Sequence, residues 1–289
     1  IKKLIIFSRD ENKQYQMQNE IKDKRLRFFI GDIRDEERLI MAFRGVDYVI
    51  HAAAQKHVPS SEYNPFESIK TNVFGSQAII SAAIKTHIKK VIALSTDKAC
   101  NPINLYGATK LCAEKLFING NQLSGKNGPK FSVVRYGNVI ASRGSVIPFF
   151  KDLSKNSKNT IPLTHKNMTR FFIQISTAVN FVLNSMQTMQ LGEIFIPKMN
   201  SIYIKDLIKI LCPKNKVKII GVRAGEKIHE MLFSAEETTN LYEKNDCFII
   251  LPHNSKSKKT QGIKKIKNFS YSSDLKENVN FNKIKKLIN

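Results

Sequence analysis

The sequence predicts an α/β protein built on a doubly wound, mainly parallel β-sheet with helices on both faces. Short apolar runs, each the length of a buried strand, alternate with longer stretches of helical periodicity. This alternation is typical of a sheet whose successive strands are joined by helices. With 289 residues, of which 42% are hydrophobic, the chain can bury one large core and a smaller lobe.

The predicted elements follow in a regular order over the first half of the chain. Strands are predicted at residues 2–7, 26–30, 46–50, 91–94 and 131–134, and helices at 11–22, 36–43, 65–86 and 106–123. After about residue 145 the order becomes mixed, with strands at 193–197 and 217–221 on either side of a helix at 203–211. We therefore expect a Rossmann-like domain at 1–145, a mainly substrate-binding lobe at 146–252 and a loosely held, Lys-rich tail at 253–289.

A glycine-rich turn is missing from the predicted sheet. A dinucleotide-binding sheet normally opens with a strand, a Gly-rich turn and a helix whose N-terminus holds the pyrophosphate. None of the 13 glycines has that spacing and context, and the first residue is not Met. We expect the chain to start at the second strand of the fold, so that the two neighbours of the central first strand are left unpaired. The chain by itself is not expected to build the whole cofactor phosphate site.

Composition excludes several classes of protein. No apolar run approaches the ~20 residues that span a bilayer, and there is no secretory signal, so a soluble, cytoplasmic protein without a membrane partner is expected. The net charge of +23 is spread along a Lys-rich chain, which favours a compositional bias over a nucleic-acid surface. The four cysteines have scattered spacings, which predicts reduced thiols and no metal site.

The ends of the first three predicted strands indicate a dinucleotide site. Ser8 and Arg9 follow the first strand, where an NAD-specific site would carry an acidic residue, so they favour the 2′-phosphate of NADP; Lys13 adds a second charge. At the end of the second strand, Asp32 is predicted to meet the adenine edge, with a helix cap as the alternative. Further cofactor contacts are predicted at strand ends, at Ile33, Ala52, Leu94 and Ser95; the small side chains of the run that contains Ala52 let a dinucleotide lie close to the backbone.

The strongest constellation lies at the end of the fourth strand and the start of the following helix. Asp97 and Lys98 follow the strand end, and Tyr106 and Lys110, four residues apart, share one helix face. A nearby ammonium stabilises a phenolate, so Lys110 is expected to lower the pKa of Tyr106 and equip it to take a proton from a sugar hydroxyl. A YxxxK motif alone is weak evidence for an active site. Here it follows a strand that ends in Ser-Thr within an alternating α/β chain, which makes it specific.

With these motifs the chain resembles the extended short-chain dehydrogenase/reductase superfamily, and within it the inverting UDP-N-acetylglucosamine 4,6-dehydratases of pseudaminic acid biosynthesis. The matching runs are FSRDE (7–11), FFIGDIRD (28–35), HAAAQKHVP (51–59), ALSTDKACNPINLYGATKL (93–111), VVRYGNVIASRGSVIPFF (133–150), MTRFF (168–172) and GEIFIPK (192–198). They cover most of residues 1–250. The departures are the tail, the missing glycine turn and Ala224 in RAGEK, where the family has Pro.

The resemblance implies further roles, residue by residue. Lys56 lies near both nicotinamide and sugar, and Val139 touches the cofactor. The residues implied to bind the sugar nucleotide are Asn138, Arg143, Arg223 and Glu226. A homo-oligomer is also implied.

The implied reaction oxidises the sugar transiently. Tyr106 deprotonates the C4 hydroxyl while hydride passes to NADP, and the resulting ketone makes the C5 proton acidic. Lys98 is then expected to act as the base at C5, which requires a lowered pKa, and Asp97 as the acid at the C6 hydroxyl. The alternative is that Lys98 only binds a phosphate or carbonyl group. Hydride returns to C6, and C5 is protonated on the opposite face.

Two other functions stay open at this point. A sugar-nucleotide epimerase of the same superfamily would return hydride to C4 and would not need Asp97 and Lys98. A non-catalytic NADP-binding protein would keep Ser8 and Arg9 but would not need Tyr106 or Lys110, and both of these are present.

Overall fold

The polypeptide forms sixteen strands and ten α-helices over residues 1–142, 144–190, 192–252 and 264–288, which the computed structural model describes. The strands are β1 (Leu4–Ser8), β2 (Leu26–Ile30), β3 (Tyr48–His51), β4 (Lys90–Thr96), β5 (Lys130–Tyr136), β6 (Asn138–Val139), β7 (Ile161–Leu163), β8 (Thr169–Ile173), β9 (Ile194–Pro197), β10 (Asn200–Tyr203), β11 (Val217–Ile219), β12 (Met231–Phe233), β13 (Leu241–Lys244), β14 (Cys247–Ile250), β15 (Lys264–Ile266) and β16 (Tyr271–Ser272). The helices are α1 (Glu11–Glu20), α2 (Glu36–Phe43), α3 (Val58–Tyr63), α4 (Pro65–Ile69), α5 (Gly75–Lys85), α6 (Leu105–Leu123), α7 (Val146–Ser154), α8 (Ile175–Thr188), α9 (Ile204–Leu211) and α10 (Phe281–Ile288).

The main sheet has seven strands in the order β15-β13-β14-β9-β5-β4-β3. The half from β3 to β9 is parallel, and the half from β9 to β15 is antiparallel. Along β4, Val91 and Ala93 pack with α2, α5 and α6, whereas Ile92 packs with α8 on the opposite face. Because successive side chains of a strand point to opposite faces, a strand buried on both sides is apolar throughout. The predicted doubly wound α/β fold is confirmed.

A second, separate sheet contains only β1 and β2. These strands are parallel and in register from Leu4 opposite Leu26 to Ser8 opposite Ile30. Within the described ranges, β1 pairs only with β2, and β3 pairs only with β4. The prediction that these two strands lack a partner between them is confirmed. The free edge of β3 carries exposed apolar side chains, with Tyr48 54% and Ile50 45% exposed.

Short polar side chains fix where the helices that follow β1, β2 and β4 begin. Asp10 accepts a hydrogen bond from the Lys13 amide at the start of α1, and Asp35 caps α2 in the same way. Asn104 accepts from the Gly107 amide at the start of α6. Such caps satisfy backbone N–H groups that have no partner within the helix. Asp32 is therefore not a helix cap, so the alternative considered for it is wrong.

The C-terminal segment packs against the body of the protein. Strand β15 joins the main sheet, the Tyr271 phenol bonds with the backbone of Met199, and Ile284 on α10 is fully buried. The expectation of a loosely held tail is thus wrong for residues 264–288, while residues 253–263 lie outside the described residues. A few apolar side chains anchor this segment, and the many lysines around them hide the pattern in the sequence.

The predicted substrate lobe is interwoven with the first domain. Strands β9, β13 and β14 belong to the main sheet, whereas β6, β8 and β10 form a small sheet of their own. A second core lies between α7, α9 and α10 and includes Ile147, Leu207 and Ile284. The domain boundaries remain a prediction. All four cysteines are free thiols, as expected. Among the described residues, none of the helices combines the length and the apolar character needed to span a bilayer.

Candidate active site

An open cleft of about 330 Å³ lies at the carboxyl ends of β3, β4 and β5. Polar and small side chains that follow these strands meet there, as expected for the ligand site of an open α/β sheet. The lining residues are Ala52, Ala54, Lys56, His57, Leu94, Ser95, Thr96, Lys98, Tyr106, Lys110, Tyr136, Gly137, Asn138, Val139, Ser142, Gly144, Ser145 and Val146.

The start of α6 brings Tyr106 and Lys110 into this cleft. Both side chains belong to buried residues, 9% and 4% exposed. Gly107 permits this close packing, because a Cβ atom there would lie 2.2 Å from the carbonyl oxygen of Lys98. Any other residue would push the helix away from the turn at Asp97–Ala99. The glycine of the YGATK run therefore sets the distance between the two halves of the site.

Burial is the largest influence on the pKa of the Tyr106 phenol. It raises the pKa of Tyr106 to about 12, although the Lys98 cation and a hydrogen bond with Thr96 act in the opposite direction. Lys110 instead donates a 2.7 Å hydrogen bond to the carbonyl oxygen of Leu94, and burial lowers the pKa of its ammonium to about 8. The expectation that Lys110 lowers the pKa of Tyr106 is therefore wrong for this structure, in which the cation acting on the phenol is Lys98.

Asp97 and Lys98 form an ion pair at the tip of β4. The Lys98 Nζ atom lies 2.9 Å from Asp97 Oδ1, which also accepts a 3.0 Å hydrogen bond from the Thr96 hydroxyl. Burial lowers the pKa of the Lys98 ammonium, but the charges of Asp97 and Glu230 outweigh it and raise the pKa above its ordinary value. The expected lowering of the Lys98 pKa is thus wrong. Nothing in the sequence indicates that the Glu230 carboxylate, which is distant in the chain, would raise the pKa of Lys98.

The residues predicted to bind the adenosine end lie on the separate β1–β2 sheet. Arg9 is exposed, and its Nη1 atom lies 3.4 Å from Asp32 Oδ2; Arg34 holds the same oxygen at 2.7 Å. The Lys13 ammonium lies 2.6 Å from Asp10 Oδ2. The Ser8 hydroxyl accepts a hydrogen bond from the Asp10 amide.

Ser8, Arg9 and Lys13, at and after the end of β1, offer a hydroxyl, a guanidinium and an ammonium, which suit a phosphate monoester; in this structure the two cations pair with Asp32 and Asp10. None of these residues lines the cleft. Ile33 is buried in the main core against Gly75, which leaves its backbone rather than its side chain for a ligand. The residues predicted to bind the nicotinamide end of the cofactor and those predicted to bind its adenosine end therefore lie in two separate clusters.

The predicted sugar-nucleotide residues are only partly brought together. Lys56, Asn138 and Val139 line the cleft. Arg143 lies outside the described residues. Arg223 and Glu226 form a local turn in which the Arg223 amide donates to the Glu226 carboxylate at 3.3 Å, and they do not line the cleft.

The turn at Arg223 and Glu226 nevertheless touches the start of α6. The Asn104 side chain donates a 2.8 Å hydrogen bond to the carbonyl oxygen of Gly225. Asn104 is the residue that caps α6. The turn is therefore held beside the helix that carries Tyr106.

Comparison with known proteins agrees with this geometry. The profile of the polysaccharide biosynthesis protein family matches residues 1–252, which is most of the chain. The chain belongs to the polysaccharide biosynthesis protein family. The superfamily resemblance drawn from the motifs is thereby confirmed.

The relatives of the chain include two kinds of enzyme. The chain is 50% identical to the UDP-N-acetylglucosamine 4,6-dehydratase (inverting) of Campylobacter jejuni, over 94% of the chain and 84% of the relative. It is 43% identical to the UDP-glucose 4-epimerase of Rickettsia canadensis, over 86% of the chain and 74% of the relative. The solved structure of Pen from Bacillus thuringiensis superposes with a TM-score of 0.92 at 39% identity, covering 99% and 89% of the two chains.

Several residues that line the cleft were not predicted from the sequence. Thr96 stands inside a motif already singled out, so its position beside Asp97 could have been foreseen. Tyr136 ends β5, and Ser142 and Ser145 lie in the segment after β6; their place near strand ends was the available signal. No local signal points to Glu230, because its place behind Lys98 depends on long-range packing.

Proposed function

We propose that the protein is an NADP-dependent, inverting 4,6-dehydratase that converts UDP-N-acetylglucosamine to a UDP-linked 4-keto-6-deoxy-L-arabino-hexosulose. The observation that carries the proposal is the meeting of Lys98, Tyr106 and Lys110 at one cleft, with Asp97 buried beside them and paired with the Lys98 ammonium. The 50% identity to an enzyme of that name supports the choice of substrate and outcome. A place at the first step of pseudaminic acid biosynthesis is part of the proposal.

The first step is oxidation at C4 of the sugar. A nicotinamide cofactor bound in the cleft would supply the acceptor for the C4 hydride and the donor for its return at C6. Tyr106 takes the proton of the C4 hydroxyl, and the neighbouring Lys98 ammonium stabilises the phenolate that results. The Lys110 ammonium lies in the same cleft, held at 2.7 Å by the Leu94 carbonyl oxygen, and burial lowers its pKa to about 8.

The second step is loss of water across C5 and C6. A group must accept the C5 proton, and another must give a proton to the C6 hydroxyl as it leaves. Asp97 and Lys98 are the adjacent acidic and basic groups at the tip of β4, 2.9 Å apart, of which Lys98 lines the cleft and Asp97 is buried beside it. A proton delivered to the opposite face of C5 completes the inversion.

The choice of NADP over NAD depends on the end of β1. Ser8, Arg9 and Lys13 offer a hydroxyl and two cations, which suit the extra phosphate of NADP. The homo-oligomer and the cytoplasmic location stay predictions.

An epimerase is the second candidate, because one relative carries the name UDP-glucose 4-epimerase. An epimerase would share the cofactor site and Tyr106, but it would return hydride to C4 and leave Asp97 and Lys98 without a chemical task.

Mass spectrometry after incubation with UDP-N-acetylglucosamine and NADP separates the candidates. The protein is expressed with whatever coding sequence precedes Ile1 in its gene. A product lighter by one water supports the dehydratase, and a product of unchanged mass with an altered configuration supports the epimerase. Binding of NADP without turnover of any UDP-sugar would instead support a non-catalytic NADP-binding protein. Asp97→Asn serves as the control, since it should abolish water loss in a dehydratase.

A further inference from the structure

A row of alternating charges joins the end of β1 to α4. Arg9 Nη1 lies 3.4 Å from Asp32 Oδ2, and Arg34 Nη2 lies 2.7 Å from the same oxygen. The Nη1 atom of Arg34 lies 2.9 Å from Glu67 Oε2, and Lys70 Nζ lies 3.0 Å from Glu67 Oε1. Arg34 therefore stands between two carboxylates, one at the end of β2 and one on α4.

Arg34 holds Asp32 more firmly than Arg9 does. The Nε and Nη2 atoms of Arg34 donate to Asp32 Oδ2 at 3.0 and 2.7 Å, and the Arg34 amide donates to Oδ1 at 2.9 Å. Arg9 makes a single 3.4 Å contact from a side chain that is 56% exposed. Burial acts to raise the pKa of the Asp32 carboxyl, but the hydrogen bonds and the charge of Arg34 outweigh it and keep that pKa below its ordinary value. Asp32 is thus a carboxylate that Arg34 already pairs.

The position of Asp32 makes this pairing important for a bound phosphate. The Gly31 amide donates a 3.1 Å hydrogen bond to the Ser8 carbonyl oxygen, which holds the end of β2 beside the end of β1. Asp32 therefore lies next to the groups predicted to bind the 2′-phosphate of NADP. A phosphate monoester carries up to about two negative charges near neutral pH, so an unpaired carboxylate beside it would repel it. The same carboxylate would compete with the phosphate for the Arg9 guanidinium.

We propose that Arg34 is a specificity-determining residue for a dinucleotide with a 2′-phosphate, because it neutralises Asp32 and so makes Arg9 available to the phosphate. This role rests on the NADP preference of the proposed function. It goes further by naming the residue that makes an acidic strand end compatible with a phosphate. The Glu67 contact holds the far side of the Arg34 guanidinium towards α4, so that its near side stays on Asp32.

Isothermal titration calorimetry with NADP and with NAD tests this role, on protein expressed with whatever coding sequence precedes Ile1 in its gene. Arg34→Met should weaken the binding of NADP about tenfold, which is the effect of losing one favourable charged contact. NAD has no 2′-phosphate for Asp32 to repel, so its affinity should change less than about twofold. Arg34→Lys, which restores the charge, should recover most of the NADP affinity.

A double-mutant cycle with Asp32→Asn separates this electrostatic role from a structural one. Asp32→Asn removes the charge that Arg34 neutralises, so by itself it should not lower the ratio of NADP affinity to NAD affinity. In the Asp32→Asn background, Arg34→Met should change that ratio less than about twofold, because the two substitutions remove the same interaction. A distortion of the loop between β2 and α2 would instead weaken both dinucleotides in either background.

Arg38→Met is the matched control, because the Arg38 guanidinium donates to the Ile30 carbonyl oxygen at 2.9 Å and lies 5.0 Å from the centre of the Phe29 ring. Its affinity ratio should match that of the wild type.

Two outcomes would overturn the role of Arg34 alone in a protein that prefers NADP. One is an equal loss of both affinities in Arg34→Met, and the other is an undiminished fall of the ratio in the Asp32→Asn background. If Arg34→Met fails to fold, a fall of the ratio in Asp32→Asn alone has the same consequence. A wild-type protein that binds NAD as tightly as NADP overturns the NADP preference itself, and the role of Arg34 with it.

Discussion

Arg135 and Glu114 form a doubly hydrogen-bonded ion pair in the core, with donor–acceptor distances of 3.0 and 2.6 Å. Arg135, on β5, is fully buried, and it also bonds Glu237 and the Leu232 carbonyl oxygen. Glu114 stands on α6, one turn beyond Lys110. The pair therefore joins the helix that carries Tyr106 and Lys110 to the centre of the main sheet.

Arg135→Met should lower the free energy of unfolding by about 3–5 kcal/mol. The substitution leaves the carboxylate of Glu114 buried without its cation, and an unpaired buried charge is costly. Urea denaturation measures the change. As control, Lys155→Met removes an exposed ion pair with Asp152 and should change stability by less than ~0.5 kcal/mol. A loss below ~1 kcal/mol in Arg135→Met would contradict this account.

Tyr106→Phe should reduce kcat at least ~100-fold while leaving the fold intact. The substitution removes the hydroxyl that takes the C4 proton, and acid–base groups of this kind contribute about 100-fold or more. Thermal unfolding should show only the loss of the hydrogen bond with Thr96, about 1 kcal/mol. Tyr136→Phe is the matched control, since Tyr136 also lines the cleft, and it should keep most of the activity. Equal losses in both variants would remove Tyr106 from its assigned role.

Local patterns predicted much of the fold. The predicted helix at 36–43 and strand at 26–30 coincide with α2 (Glu36–Phe43) and β2 (Leu26–Ile30), because capping and periodicity are properties of neighbouring residues. The predicted helix at 65–86 is instead divided into α4, a π-helical segment at Lys70–Phe74, and α5. Periodicity of apolar residues does not distinguish such a change in helical winding.

Long-range packing explains what the sequence did not reveal about the site. The direction of the Lys98 pKa depends on Glu230, and only the tertiary fold brings that carboxylate to 3.3 Å. The pKa of Tyr106 depends on how fully the cleft buries the phenol, which the i, i+4 spacing to Lys110 does not report. Residue types and spacing predicted which groups would meet. Their protonation states required the burial and the charges of the folded protein.

Burial of Lys110 should make stability depend on pH in a defined window. Its folded pKa of about 8 lies below the ordinary value of 10.5. Below pH 8 both folded and unfolded chains carry the cation, and the burial cost is fully present. Between pH 8 and 10.5 only the unfolded chain keeps the proton, so this contribution to stability rises with pH.

Lys110→Met removes this dependence. The wild type should therefore gain on the order of 3 kcal/mol of unfolding free energy relative to Lys110→Met as the pH rises from 8 to 10.5. Urea denaturation at a series of pH values measures it. Lys209→Met, which affects an exposed pair with Asp206, should run parallel to the wild type. If Lys110→Met also runs parallel, the buried ammonium does not titrate in this window.

Arg9→Ala should weaken the binding of NADP about tenfold and leave the binding of NAD unchanged. The side chain is 56% exposed at the end of β1, and a charge-assisted hydrogen bond to a phosphate contributes about 1.5 kcal/mol, which corresponds to that factor. Isothermal titration calorimetry with each dinucleotide measures the two affinities. Arg25→Ala is the matched control, because Arg25 is an exposed arginine that pairs with Asp23 just before β2. Equal losses for NADP and NAD would mean that Arg9 binds a part common to both dinucleotides, and the NADP preference would then have to come from Ser8 and Lys13.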